Sequence, residues 1–200
     1  MSSRTPRHGL NIVDRPVSKS KTEAATVAFS SFAYLFSELI QYSQNKVKST
    51  TELEQRLEVV GCEIGQRLLE LLTYREKVPR RKCHIIDILK FIHSTVWPYM
   101  FGKTADSLEQ ANAAEDEYMI SDLNLQLNKY ISVPRDMGSF NPGGFMSGVV
   151  KGVLEAAEFP ARVSVHFVDV GGGAKPQTTI LMKFDPSVMQ REARMASRGV

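Results

Sequence analysis

The chain has 200 residues, of which 42% are hydrophobic and 24% are charged. This length fits one domain, and the composition excludes collagen-like, low-complexity and wholly disordered proteins. The formal net charge is +3, but residues 1–21 alone hold five Lys or Arg residues and one Asp. The rest of the chain is therefore not basic, and it lacks the clustered Lys and Arg residues of a nucleic-acid-binding surface. We expect no nucleic-acid partner.

Signals for secretion or membrane insertion are missing from the sequence. The N-terminal segment has no apolar core of the kind found in signal peptides, and no run of about 18 apolar residues occurs elsewhere. The two cysteines, Cys62 and Cys83, have neither the spacing of a metal site nor the density of a disulfide scaffold. The sequence predicts a cytoplasmic protein whose contact with membranes is indirect or peripheral.

Three segments are distinguished by their periodicity. Residues 1–20 mix Ser, Arg, Pro and Lys without a pattern and are predicted to form a disordered basic tail. Residues 21–190 alternate periodic segments with turn residues and are predicted to form one folded domain. Residues 191–200 are predicted to be a C-terminal tail.

Two long helices are predicted at the start of the domain. From Thr22 to Val47 apolar residues recur at helical spacing around more than one stripe, which predicts a helix buried on two sides. Ser49 and Glu52 have the capping-box spacing and predict the start of a second helix. Within it, Gly61 and Gly65 leave two patches without side chains, which indicates that another backbone passes close by. That backbone belongs either to the same subunit or to a partner.

The remaining elements mix helices and strands. Asn141 and Pro142 suit the N-cap and first residue of a fourth helix, whose glycines fall at four-residue steps. In chain order, the predictions are a helix over 82–101, strands over 105–110, 117–122 and 130–133, a helix from 142, and strands over 162–170 and 178–184. Helices first and strands mainly later predict an α+β fold, with four main helices on one face of a small antiparallel sheet.

No constellation of residues predicts catalysis. The glycines at 171–173 lack the spacing of a phosphate-binding loop, and a strand rather than a helix is predicted to follow them. Cys83 and His84 are adjacent on a predicted helix and point about 100° apart, which is unsuitable for a nucleophile and its base. His93 and His166 have no metal-ligand partner at the required spacing. We expect no enzyme, no cofactor and no metal site.

Several phrases of the sequence resemble the transport protein particle (TRAPP) subunit family. The resemblance covers residues 19–190 in order, and its most specific parts begin at Phe101 and at Tyr130. The phrases are Leu-Phe-Ser-Glu-Leu-Ile-Gln-Tyr at 35–42, Glu-Ile-Gly-Gln-Arg-Leu-Leu-Glu at 63–70, Phe-Gly-Lys-Thr-Ala-Asp-Ser-Leu-Glu-Gln-Ala-Asn at 101–112, Tyr-Ile-Ser-Val-Pro at 130–134 and Phe-Pro-Ala-Arg-Val at 159–163.

The resemblance implies a role in assembly. Members of this family pair through their first two helices and join into an elongated core, which tethers vesicles between the endoplasmic reticulum and the Golgi. The core is also a guanine-nucleotide exchange factor for a Rab GTPase, and that activity needs a composite surface rather than a catalytic triad. The implied partners are other TRAPP subunits and, through the assembled complex, the GTPase. The residues expected at the subunit interface are Phe29, Phe32, Phe36, Leu39, Leu57, Gly61, Gly65 and Leu68.

Two alternatives remain open from the sequence. In another branch of the family a cysteine near the start of the third helix carries a fatty acyl chain, and Cys83 falls near that place. The chain is also interpretable as a module that binds a small hydrophobic ligand or a lipid. An interior channel with an opening would favour lipid binding, whereas an exposed apolar helical face would favour subunit assembly.

Overall fold

A computed structural model describes residues 27–76, 80–111, 114–138, 140–169 and 176–197. The predicted disordered tail at 1–20 and the glycines at 171–173 lie outside the described residues. The main elements are α1 (Phe29–Gln44), α2 (Thr50–Arg75), α3 (Ile85–Phe91), a π-helical turn (Ile92–Val96), α4 (Trp97–Phe101), β1 (Ser107–Gln110), β2 (Glu117–Asp122), α5 (Gly144–Ala156), β3 (Ala161–Val168), β4 (Gln177–Phe184) and α6 (Pro186–Ser197).

The four strands form one antiparallel sheet in the order β1-β2-β4-β3. The central strand β4 pairs Ile180 with Ile120 of β2 on one side and with Val165 of β3 on the other. Alternate residues of β4 are buried, because their side chains point towards the helices. The α+β class, with helices packed on one face of a small antiparallel sheet, is confirmed.

Helices α2 and α5 pack backbone against backbone. A Cβ atom on Gly61 would overlap the carbonyl oxygen of Phe145 in α5. On the opposite helix, a Cβ on Gly148 would overlap the carbonyl oxygen of Glu58 in α2. Glycines on each helix therefore face the backbone of the other, and the close approach predicted from Gly61 occurs within the subunit.

The third helix differs from its prediction in start and in form. It begins at Ile85 rather than at residue 82, and residues 92–96 form a π-helical turn before α4. Pro98 has no N–H to donate to the carbonyl of Ser94, which favours a wider turn before it. Gly102 ends α4 with a φ of 72°, a left-handed conformation that suits glycine.

Three further predictions are corrected by the structure. Tyr130–Val133 is not a strand, because it lies between two short 3-10 turns and pairs with no other strand. Helix α5 begins at Gly144, and Asn141 precedes it, accepting a hydrogen bond from the Gly143 N–H over 2.9 Å. Residues 191–197 are helical rather than a tail, since they belong to α6. The described residues thus contain one main helix more than the four predicted.

Candidate subunit interface

One side of α1 is packed against the rest of the chain. Phe36 is 3% exposed and meets the Phe145 ring edge-on, with their centroids 5.3 Å apart. Phe32 stacks on Phe36, and Phe29 lies against Tyr130 at a centroid distance of 5.5 Å. Phe36 is therefore unavailable to a partner, while Phe29, Phe32 and Leu39 are half-buried by their own chain.

The interface residues predicted on α2 are also used inside the subunit. Leu57 is fully buried and Leu68 nearly so, and both belong to the hydrophobic core. Gly61 and Gly65 face the backbone of α5. These four residues form no exposed surface, because the small-residue face of α5 already occupies the patches that Gly61 and Gly65 leave free.

The opposite side of α1 carries large apolar side chains that nothing in the described chain covers. Tyr34, Leu35 and Tyr42 are 79%, 71% and 52% exposed. Tyr34 and Leu35 are neighbours, Tyr42 lies about two turns further on, and all three are on the side of α1 that faces away from Phe36. We call these three residues the α1 stripe. The sequence signal for the α1 stripe was that apolar residues on this helix occupy more than one side. The interface residues predicted on α1, Phe29, Phe32, Phe36 and Leu39, lie on the side that packs against the rest of the chain.

A cationic cluster lies at the C-terminal end of the α1 stripe. Lys46 donates a hydrogen bond to the hydroxyl of Tyr42, and its ammonium lies 4.0 Å from the centre of the Tyr42 ring. That hydrogen bond and the charge of Lys46 lower the pKa of Tyr42, and the nearby charge of Arg56 lowers it further. A partner that covers Tyr42 must therefore tolerate two cations, which favours acidic side chains on the partner.

A separate cleft of about 330 Å³ lies between α2, α3 and the end of α5. Its apolar lining includes Leu69, Ile88 and Phe91, and its rim includes Arg80, Arg81 and Lys82. The Arg81 guanidinium pairs with the carboxylate of Glu158 at this rim. Lys82 pairs with Glu76 over 3.4 Å. The cleft therefore combines an apolar lining with an edge of three cations, two of which are paired with carboxylates.

The two cysteines have different surroundings. Cys83 is exposed, and its sulfur lies 3.7 Å from the carbonyl oxygen of Arg81. Cys62 is half-buried at the edge between α2 and α5, where its thiol donates to the Glu155 carboxylate over 3.4 Å. Partial burial, followed by this hydrogen bond and the charge of Glu155, raises the pKa of Cys62 to about 11.

The family-like phrase that begins at Phe101 builds a buried polar junction rather than a reactive site. The carboxylate of Asp122 is 1% exposed and accepts from the Trp97 indole N–H over 3.1 Å. It also accepts from the Lys103 ammonium over 2.7 Å and from the Asn124 backbone N–H over 2.9 Å. These bonds fasten α4 and the following loop to the end of β2.

The described residues show neither a metal site nor a membrane-spanning helix. That part of the chain contains no group of three or more His, Cys, Asp or Glu residues placed to hold a metal ion. None of its helices is long and apolar enough to cross a membrane. His93 contacts the carbonyl oxygen of Ala105 over 3.1 Å, and His166 contacts the hydroxyl of Ser164 over 2.9 Å.

Comparison with known proteins gives consistent matches. Residues 32–185 match the family model described as transport protein particle (TRAPP) component. A Dictyostelium discoideum protein named trafficking protein particle complex subunit 5 is 53% identical, with 92% of this chain and 97% of that protein covered. The Homo sapiens protein of the same name is 36% identical over 99% of this chain and 100% of its own.

A solved structure shows the same fold. A subunit 3 of the trafficking protein particle complex from Naegleria fowleri, described as covalently bound to palmitic acid, superposes with a TM-score of 0.66 at 16% identity. The match covers 78% of this chain and 95% of that one. The fold is an α+β domain, and the relatives that match this chain are named as subunits of a particle complex. The chain belongs to the TRAPP family, and the resemblance predicted from its sequence is confirmed.

Proposed function

We propose that this protein is a non-catalytic architectural subunit of a vesicle-tethering complex, in which the α1 stripe and the adjacent surface of α2 pair with another TRAPP subunit. The observation that carries the proposal is the exposure of Tyr34 and Leu35, at 79% and 71%. Tyr34 and Leu35 are neighbours and Tyr42 lies about two turns further on, and large exposed apolar side chains gathered on one side of a helix mark an interaction site in soluble proteins. Val59 on α2 is also an exposed apolar residue, at 60%.

A second part of the proposal concerns the activity of the assembled complex. We propose that the assembled complex acts as a guanine-nucleotide exchange factor for a Rab GTPase in transport from the endoplasmic reticulum to the Golgi. The names of the relatives, which call them subunits of a trafficking particle complex, support a role in transport. On this proposal the protein is cytoplasmic and peripheral to both membranes, and it contributes surface rather than reacting groups.

The pairing is tested by placing a charge in the α1 stripe. Leu35→Asp should reduce recovery of the other subunits with the tagged chain at least tenfold, because a carboxylate in a buried apolar contact is strongly unfavourable. Leu123→Asp is the matched control, since Leu123 is also exposed, at 51%, but lies outside α1 and α2. Circular dichroism should show the same melting temperature for both variants. Equal recovery of subunits with both variants would refute the pairing surface.

The exchange activity is tested separately on the assembled complex. Release of a fluorescent nucleotide from the GTPase should be accelerated by the complex that contains the wild-type chain. A complex assembled without this chain, or with Leu35→Asp, should accelerate release less. Equal rates for all three preparations would show that the chain is dispensable for exchange, while the pairing result would stand independently.

The cleft favours one second candidate function, the binding of an acyl chain or lipid. Its apolar lining and basic rim suit either a lipid with an anionic head group or an acyl chain attached covalently to the protein. Cys83 lies directly after the rim residue Lys82. The solved relative described as bound to palmitic acid shares this fold. Mass spectrometry of the native protein tests it. A hydroxylamine-sensitive acyl mass on the Cys83 peptide would support acylation, and an unmodified Cys83 with no co-purifying lipid would exclude it.

A further inference from the structure

The edge strand β3 has a row of backbone groups that have no hydrogen-bond partner among the described residues. Two backbone hydrogen bonds show which groups of β3 these are. The Phe184 N–H donates to the carbonyl oxygen of Asp116 over 2.9 Å, on the side of β4 that faces β2. The Asp185 N–H donates to the carbonyl oxygen of Pro160 over 3.0 Å, on the side that faces β3. Since backbone groups alternate between the two sides of an antiparallel strand, even-numbered residues of β3 face β4. The N–H and C=O groups of Ala161, Val163, Val165 and Phe167 therefore point away from the sheet.

No described residue supplies a hydrogen-bond partner to these outward groups. Exposure rises along the strand, from 8% at Val163 to 45% at Phe167 and 43% at Val168. Helix α5 passes over the first half of β3, and its N-terminal turn lies beside the Val165 side chain. Among the described residues, the stretch from Val165 to Val168 is therefore the part of β3 that the helices leave uncovered.

The Val165–Val168 stretch lacks the Pro and charged residues with which proteins protect sheet edges, since the one Arg or Lys of β3 is Arg162 near its start. β3 has eight residues and contains no Pro, Gly or Lys, and its C-terminal residues Phe167 and Val168 are apolar. The opposite edge, β1, has only four residues, three of them polar. Short and polar edges resist the addition of further strands, whereas a long edge with exposed apolar residues is a template for one.

We propose that the Val165–Val168 edge accepts an extended segment of a partner protein as a fifth strand. The outward N–H and C=O groups of Val165 and Phe167 would pair with that segment. Apolar residues of the segment would lie beside Phe167 on the helix side of the sheet and beside Val168 on the other side. A second copy of this chain suits the site less well, because each copy offers only this short uncovered stretch. A free segment can also continue past residue 168.

The proposal is independent of the α1 stripe and is tested by amide hydrogen exchange on the full chain, alone and in the purified native complex. In the isolated chain the amides of Val165 and Phe167 should exchange fast, whereas those of Ser164 and His166, which bond to β4, should exchange slowly. In the complex, the Val165 and Phe167 amides should slow at least tenfold. Equally fast exchange of these two amides in both samples would overturn the proposal.

A pair of variants separates the backbone from the side chain. Phe167→Pro removes the outward N–H without removing a bond to β4, because the Phe167 N–H points away from β4. Phe167→Thr shortens the side chain but keeps the N–H. The Pro variant should lose one subunit of the complex that the Thr variant retains, while recovery of the subunit bound through α1 should not change. Retention of the same subunits by both folded variants would overturn the proposal, and if the Pro variant fails to fold, the exchange measurement decides.

Discussion

Gly65 in α2 lies directly against the carbonyl oxygen of Val149 in α5, and a Cβ atom on Gly65 would overlap that oxygen. The atoms in contact are backbone atoms, which cannot turn aside as a flexible side chain can. Since both helices belong to one subunit, this contact contributes to the stability of the fold. The contact therefore affects partner binding only indirectly, through the stability of the subunit.

Gly65→Leu should therefore destabilise the isolated chain. Overpacking typically lowers the free energy of unfolding by about 1 to 3 kcal/mol, and the helix propensity gained over Gly offsets roughly 0.8 kcal/mol. Urea unfolding followed by circular dichroism measures the difference. Glu63→Leu, at an exposed position of the same helix, is the control and should unfold close to the wild type. If Gly65→Leu unfolds no earlier than this control, the packing role of Gly65 is wrong.

The buried carboxylate of Asp122 gives a second stability prediction. Asp122→Ala would leave the Trp97 indole N–H without its acceptor, and Trp97 is 1% exposed. An unsatisfied buried donor costs about 1 to 3 kcal/mol. Lys103→Met removes another bond to Asp122 but not that acceptor, and it should cost less because Lys103 reaches solvent. Thermal melting that ranks the two variants in the opposite order would contradict this account.

The raised pKa of Cys62 predicts slow alkylation. A shift from the ordinary value of 9.0 to about 11 lowers the thiolate fraction at pH 8. Because the thiolate is the nucleophile, Cys62 should react with iodoacetamide about a hundredfold more slowly in the native protein than in the urea-unfolded protein. Glu155→Gln should speed the native reaction, since the hydrogen bond and charge of Glu155 both raise this pKa. Equal native and unfolded rates, read by peptide mass spectrometry, would contradict the assigned burial.

The isolated chain should self-associate at micromolar concentration. The α1 stripe has no cover within the described chain, so association of two copies would remove Tyr34 and Leu35 from water. Light scattering should show an average mass that rises with concentration, and addition of the pairing subunit should replace this with a single heteromeric species. A monomer at all concentrations, with no binding of a hydrophobic dye, would argue against the stripe as an interface.

Local signals in the sequence located several elements accurately. Ser49 accepts a hydrogen bond from the Glu52 N–H over 3.2 Å, as the predicted capping box requires. The Glu52 carboxylate reaches the N–H of Lys48 rather than that of Ser49. β2 occupies the predicted residues 117–122, because alternation and flanking turns are both encoded locally. The glycine spacing on α2 correctly indicated a close backbone, but spacing alone does not say which chain supplies it.

The missed features depend on partners distant in sequence. Tyr130–Val133 has strand-like residues, yet a strand forms only where another strand is free to pair, and this segment packs against α1 instead. Helix α6 was not predicted from the sequence, because its support is tertiary. Val188 is buried, and the Glu192 carboxylate contacts the His84 ring over 3.0 Å and the Ile85 N–H over 3.3 Å. The exposed side of α1 is defined by the contact of Phe36 with Phe145, which the sequence of α1 alone does not encode.

The π-helical turn at Ile92–Val96 changes the direction in which the side chains of α4 point relative to those of α3. A π-turn accommodates one residue more than an α-turn, so every side chain after it is rotated by about 100° relative to an uninterrupted α-helix. That rotation directs the Trp97 indole towards Asp122 at the end of β2. Deleting one residue between 92 and 96 would therefore not simply shorten the helix. It would turn Trp97 and Phe101 out of the core together, so the number of residues in this turn is fixed by the position of the sheet.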